Sequence, residues 1–215
     1  MTTIAIIGAA VAHRFGRAGH EVALIARDQA RLDALAAALG AEGITARGFA
    51  ADVHDTKSLQ AALDSVHATL GPVEILQYSP VPRGDFMRPV LETTPTDLTG
   101  PVEFSLYGPV TAVQQVLHGM RGLGRGTILF VNGGSAVVPH PERAGTSIAF
   151  AAQSAYGRML HDTLAAGGIH VGRLVIPGAI VPGHHRKDPN VLAETLWSMH
   201  VDRHGFRHFA DDLDS

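Results

Sequence analysis

Apolar residues along this chain fall into two alternating kinds of run. Short, mostly apolar runs occupy residues 4–7, 22–26, 44–50, 73–78, 127–131 and 169–176. Between them lie longer stretches whose apolar residues recur every three or four positions. Leu32, Leu35 and Leu39 share one helical face, and Leu59, Leu63, Val66 and Leu70 share another. The first kind reads as buried strands and the second as amphipathic helices. Punctuation agrees with that division. Asp28 and Asp55 stand where helix N-caps belong, while Gly40 and Gly71-Pro72 stand where helices stop. Pro80, Pro82, Pro89 and Pro95 mark a loop region before a long helix over about 97–122, whose early turns Pro101 and Pro109 reset. Asn132-Gly133-Gly134-Ser135 leaves the fifth strand abruptly. A helix over about 148–166 leads to the sixth strand. Asp188-Pro189 then opens a helix through Leu192, Leu196 and Met199. Residues 205–209 form a short seventh strand, and the tail 210–215 frays.

Strands alternating with helices at this spacing predict an α/β fold. The expected architecture is one doubly wound parallel sheet of six to seven strands with helices on both faces, a single domain over 1–215. Residues 2–28 set the pattern: strand, glycine, helix, glycine, strand. Such an opening commonly takes a dinucleotide, because its phosphates rest on the N–H groups that begin the first helix. The switch-point rule then puts a ligand near Gly8, Tyr78, Ser135 and Pro177.

Composition narrows the class without naming a function. Hydrophobic residues make up 46% of the 215 and charged residues 17%, as in a compact soluble domain. A net charge of −3 without long basic runs gives no reason to expect nucleic acid. No stretch has the length and apolarity of a membrane span or the pattern of a signal peptide. With no cysteine, thiolate and disulfide chemistry are excluded, and the default location is cytoplasmic.

The opening resembles that of the short-chain dehydrogenases/reductases, whose first strand runs into a TGxxxGxG or GxGxxG loop. Here Gly8-Ala9 leads directly into Ala10-Val11-Ala12-His13-Arg14-Phe15, and five or six loop residues with their later glycines are missing. Residues 9–20 are the minimum for a parallel crossover, with no length left to bulge around a pyrophosphate. Either the protein lacks that loop, or residues between Gly8 and Val11 are omitted from the sequence; an intact mass separates the two. The resemblance extends along nearly the whole chain and implies a Rossmann-like fold. It implies a cofactor site at Gly8, Ala9, Asp52, Val53, Pro177 and Gly178, and a substrate-binding serine at Ser135. It also implies hydride transfer between a nicotinamide cofactor and a small-molecule carbonyl or alcohol.

The family's tyrosine and lysine, four residues apart on one helix, fall on Phe150 and Ser154. Its asparagine falls on Ser105, three residues before Gly108, and the threonine of its PGxxxT falls on Pro182. Only Ser135 remains of the catalytic set, so the chain is either an oxidoreductase with a non-standard proton donor or a catalytically silent relative. Tyr78 and His140 are the candidate stand-in acids; the alternatives are a partly buried aromatic and a loop histidine. Ser135 either holds the substrate carbonyl or merely ends a strand.

Arg27, just past the second strand, suits the 2′-phosphate of NADP(H), although Asp28 beside it leaves NAD open as the lesser choice. His200, His204 and His208 recur at helical spacing, but Gly205 interrupts them and no metal site is expected. The resemblance implies a homodimer or homotetramer built on the helices after the fourth and fifth strands. Ala151, Ala152, Ala155 and Gly157 are small enough to let a second helix approach.

Overall fold

The computed structural model describes residues 2–6 and 9–213. Gly8, expected in the cofactor site, lies outside the described residues. Seven strands form one parallel sheet: β1 (Thr3–Ile6), β2 (Glu21–Ala26), β3 (Ala46–Ala50), β4 (Val73–Tyr78), β5 (Gly126–Gly133), β6 (Ile169–Ile176) and β7 (Arg207–Phe209). Their order is β3-β2-β1-β4-β5-β6-β7, so the winding reverses between β1 and β4. The helices are α1 (Ala9–Arg17), α2 (Gln29–Ala41), α3 (Thr56–Leu70), α4 (Pro95–Val102), α5 (Gly108–Leu123), α6 (Ala144–Leu164) and α7 (Pro189–Asp202).

Each face of the sheet has its own core. On one side Leu59, Leu63 and Val66 of α3 meet Val113, Val116 and Met120 of α5 over Ile128, Phe130 and Val171. On the other, Phe15, Leu32, Leu39, Leu196 and Met199 from α1, α2 and α7 cover Ile4, Leu24, Ile75 and Leu174. Burial on both faces explains why the strands read as nearly unbroken apolar runs. Arg173, in the middle of β6, is fully buried with its guanidinium over Phe206 at 5.7 Å. Burial, with Arg207 nearby, lowers its pKa to about 10.

Asp28 and Asp55 cap α2 and α3 as expected, accepting from Arg31 N–H and from Lys57 and Ser58 N–H. Several boundaries move. Gly40 does not stop α2, which continues to Ala41; the chain turns at Gly43 with φ +80°. The third strand starts at Ala46 rather than 44, since Ile44 is drawn into the core against Gly16. The fifth strand carries through Asn132 and Gly133, both hydrogen-bonded in register with β6. The helix before the sixth strand begins at Ala144, four residues early. The tail does not fray at 210: Ala210 N–H donates to the Val175 carbonyl (2.9 Å), and buried Asp211 meets Arg186 (3.1 Å) and Lys187 (3.5 Å).

The expected long helix over 97–122 is two helices joined by a π turn, Glu103–Tyr107. Pro109 explains the joint. The Gly108 N–H reaches back five residues to the Glu103 carbonyl, and the next N–H in that pattern would belong to Pro109, which has none. The Phe104 carbonyl is therefore left without a helical donor. Tyr78 Oη donates to it at 2.7 Å.

Candidate active site

Two cavities lie along the C-terminal ends of the strands. The first, about 230 Å³, is lined by Ile25, Ala26, Arg27, Ala51, Asp52, Val53 and His54, with Phe104 and Arg83 closing it. The second, about 420 Å³, sits over β5 and β6 and contains Ser135, Phe150, Ile176 and Gly178. Pro80 and Val81 line both, so the pair flanks the loop that leaves β4 at the winding reversal. Ala9 opens α1 on this side of the sheet.

In the first cavity Arg27 and Asp28 face different surroundings. Asp28 turns to its helix, accepting from Arg31 N–H (3.1 Å) and lying 3.3 Å from the Arg31 guanidinium. Arg27 is exposed and lines the cavity. Asp52 folds back, accepting from its own His54 N–H at 3.0 Å, and leaves Val53 as an apolar wall.

Ser135 lies in the tight turn Gly134–Ala136 directly after β5 and is half-buried. The turn packs beside Pro177, close enough that a Cβ at Gly134 would be in ordinary contact with Pro177 Cα at 3.5 Å. Pro177 is thus a buried support, and Gly178, with φ +69°, lines the cavity. Below Ser135, Asn132 Nδ2 donates to Gln153 Oε1 (2.9 Å). Its Oδ1 is buried with no partner among the described residues.

The two stand-in acids do not reach this cavity. Tyr78 is 1% exposed and faces the α3–α5 core, its hydroxyl engaged by Phe104. Burial, reinforced by the Asp52 charge, pushes its pKa far above the ordinary phenol value. Tyr78, expected as a stand-in acid, is thus buried away from the Ser135 cavity, with its hydroxyl spent on the Phe104 carbonyl. His140 is exposed and caps the turn at 141–143, its Nδ1 accepting from Glu142 N–H (3.2 Å). Phe150 forms part of the cavity wall with Thr146 and Arg143, whereas Ser154 lines a separate groove beside Ala136 and Arg207. Gly157 also departs from expectation. It faces inward, and a Cβ would stand 3.1 Å from Phe130. His200 is buried against Thr127 Oγ1 (2.8 Å), while His208 Nε2, apart from it, donates to the His204 carbonyl (2.8 Å).

Arg143, Thr146 and Met87 complete the second cavity and were not legible as site residues in the sequence. Arg143 alone carried a signal, as a cation directly before a long apolar helix.

The short chain dehydrogenase family model matches residues 4–190, which is most of the chain. The chain belongs to the short-chain dehydrogenase family. D-threitol dehydrogenase of Mycolicibacterium smegmatis is 35% identical over 133 residues, covering 61% of this chain and 50% of that protein. The chain spans about half the length of the first curated relatives it matches, 50% in two cases. Among solved structures, L-sorbose reductase from Gluconobacter frateurii, complexed with NADPH and L-sorbose, superposes with a TM-score of 0.88 at 19% identity, covering 100% of this chain and 97% of that one. A short-chain oxidoreductase from Pseudomonas aeruginosa PAO1 containing an atypical catalytic center gives 0.85 at 19% identity, covering 97% and 95%. These likenesses establish the fold of the family over the whole sheet. Among the described residues, no helix is long and apolar enough to cross a membrane.

Proposed function

We propose that this short-chain dehydrogenase is an oxidoreductase using NADP(H) on a small-molecule carbonyl or alcohol. The observation that carries the reading is the pair of cavities joined at Pro80 and Val81, with Arg27 in one and Ser135 in the other. The residues present suit the two ends of a dinucleotide. Ile25, Ala51 and Val53 offer an apolar slot for adenine, and Arg27, exposed at the cavity rim, a cation for a 2′-phosphate. Gly178 and Ile176 border the other end. A bound NADPH would supply hydride chemistry at the carbonyl carbon. Ser135 holds the carbonyl oxygen by donating its hydroxyl proton in a hydrogen bond.

The wall at Phe150 has a direct consequence. Among the described lining residues of the Ser135 cavity, Arg143 is the only titratable side chain. Slow turnover follows, and complete silence, with nucleotide binding alone, is the second reading that this wall favours. Tests of both start with NADPH and NADH fluorescence titrations. Arg27→Ala should weaken NADPH about tenfold, the scale of one charge-assisted phosphate contact, and leave NADH unchanged. Reduction of any member of a carbonyl panel supports the first reading; nucleotide binding without turnover selects the second. No binding of either nucleotide defeats both.

A homodimer belongs to the same proposal. Exposed Ile148, Ala151, Ala155 and Met159 lie on α6, so a two-fold pairing would bury one continuous strip. Light scattering at micromolar concentration should give at least twice the chain mass, and a monomer would remove this part.

A further inference from the structure

The second cavity is chemically lopsided. Its walls are Pro80, Val81, Pro82, Met87, Phe150 and Ile180 on the apolar side, and no aspartate or glutamate is among the described residues that line it. Three of these walls are themselves exposed: Val81 at 84%, Met87 at 43% and Ile180 at 52%. Large apolar side chains left in water around a concave site are what an apolar ligand covers. Against this background Arg143 is the single cation.

Arg143 also differs from two arginines of the segment after β4. Arg83 is held by Asp85 at 3.0 Å and Arg88 by Asp97 at 3.5 Å, and neither lines this cavity. Arg143 has no acidic partner among the described residues, and it stands immediately before the first turn of α6, 21 residues long. The positive end of that helix adds to the same sign of potential. Pro80 and Val81 on one side and Gly178 on the other mark where a dinucleotide crosses from the Arg27 cavity. Met87, Arg143, Thr146 and Phe150 are left as the wall that faces the second reactant.

We propose that this wall selects an anionic substrate: a carbonyl compound with an apolar body lying on Met87, Val81 and Phe150 and an acidic group paired with Arg143. The inference rests on the oxidoreductase reading for the word substrate, but the binding it describes does not require turnover. A planar guanidinium suits the two oxygens of a carboxylate, and the apolar collar supplies area without competing donors. Neutral polyols and small neutral ketones lose both contributions.

The test uses 3-benzoylpropionate and its methyl ester, which share an aryl ketone and differ in charge. Calorimetric titration into the whole protein, with saturating NADPH and again without it, gives affinities independent of any hydride transfer. The acid should bind about five- to tenfold more tightly than the ester at low salt, as for a partly exposed ion pair, with the gap closing at high ionic strength. Arg143→Gln should equalise the two ligands while leaving the ester where it was, and Arg143→Lys should keep part of the preference. Equal binding in the unaltered protein, failure of both to bind, or a preference that survives Arg143→Gln would overturn the inference. A charge preference without turnover supports it while removing the oxidoreductase reading. Turnover without a charge preference does the reverse.

Discussion

The two ends of the same sheet handle their polar groups in opposite ways. At the N-terminal ends of the strands, several polar side chains are paired inside the protein, although the buried His170 Nε2 has no hydrogen-bond partner among the described residues. Thr3 donates to the Leu70 carbonyl at 2.6 Å, Thr127 pairs with His200 at 2.8 Å, and Thr2 pairs with His20 at 2.7 Å. Glu74, 6% exposed, is met by Arg125 at 3.1 Å. Around them Phe15, Trp197, His20 and His200 cluster in tilted and edge-on pairs, with ring centroids 5.2–6.0 Å apart. At the C-terminal ends, Arg27, Ser135 and Arg143 face cavities, and Asn132 Oδ1 has no protein partner among the described residues. A hydrogen bond completed inside the protein contributes to stability and leaves nothing for a ligand. An incomplete one marks where a ligand can add free energy. Tyr78 is the instructive exception. It ends β4 beside the cavities, yet its hydroxyl belongs with the satisfied set, because Pro109 leaves the Phe104 carbonyl in need of a donor.

The comparison is broken most forcefully by giving the cavity the acid it lacks. Phe150→Tyr places a phenol in the wall of the Ser135 cavity, and a positioned acid is worth about 10²–10⁴ in rate. Carbonyl reduction by this variant should rise by at least the lower figure, and adding Ser135→Ala should cancel the gain. Stopped-flow or steady-state NADPH oxidation reads both. A gain that persists without Ser135 would detach that serine from the reaction.

A smaller effect is expected from Tyr78→Phe. It removes the donor from the buried Phe104 carbonyl, at a cost of about 1–3 kcal/mol. Urea midpoints should fall accordingly, while NADPH affinity stays the same. A loss of cofactor binding at unchanged stability would return Tyr78 to the site.

A graded effect is expected at the opposite end. Burial, then the neighbouring His20 and Arg203, lowers the His200 pKa to about 4, and burial with His161 nearby does the same to His170. Both lie below the ordinary value of about 6.5, so the unfolded chain takes up protons that the folded one refuses. Stability should be full above pH 6.5 and decline between 6.5 and 4, by at most about 1.4 kcal/mol per histidine per pH unit. Chemical denaturation at pH 7.5, 6 and 5 measures the slope. His200→Gln should flatten it, and a slope unaffected by that change would place the acid sensitivity elsewhere.

Much of this architecture was legible in one dimension. Continuous apolar runs separated by capped amphipathic segments follow from burial on both faces of a parallel sheet, and that pattern is local. The caps at Asp28 and Asp55 are likewise local, since a carboxylate reaches N–H groups two or three residues on. The motif residues Asp52-Val53, Ser135 and Pro177-Gly178 carried the family from sequence alone. Conformation over longer range was not legible. The π turn at 103–107 depends on a proline five residues beyond the carbonyl it deprives, and on a tyrosine from another element that compensates. Asp211 reads as a charged tail but is buried because Arg186 and Lys187, more than twenty residues earlier, fold over it. Whether Tyr78 or Phe150 lines a cavity turned on which face of the sheet and helix each occupies. Both are aromatic residues near strand ends, and spacing treats them alike. Only the packed structure separates them, because it alone shows which polar groups have found partners inside the chain.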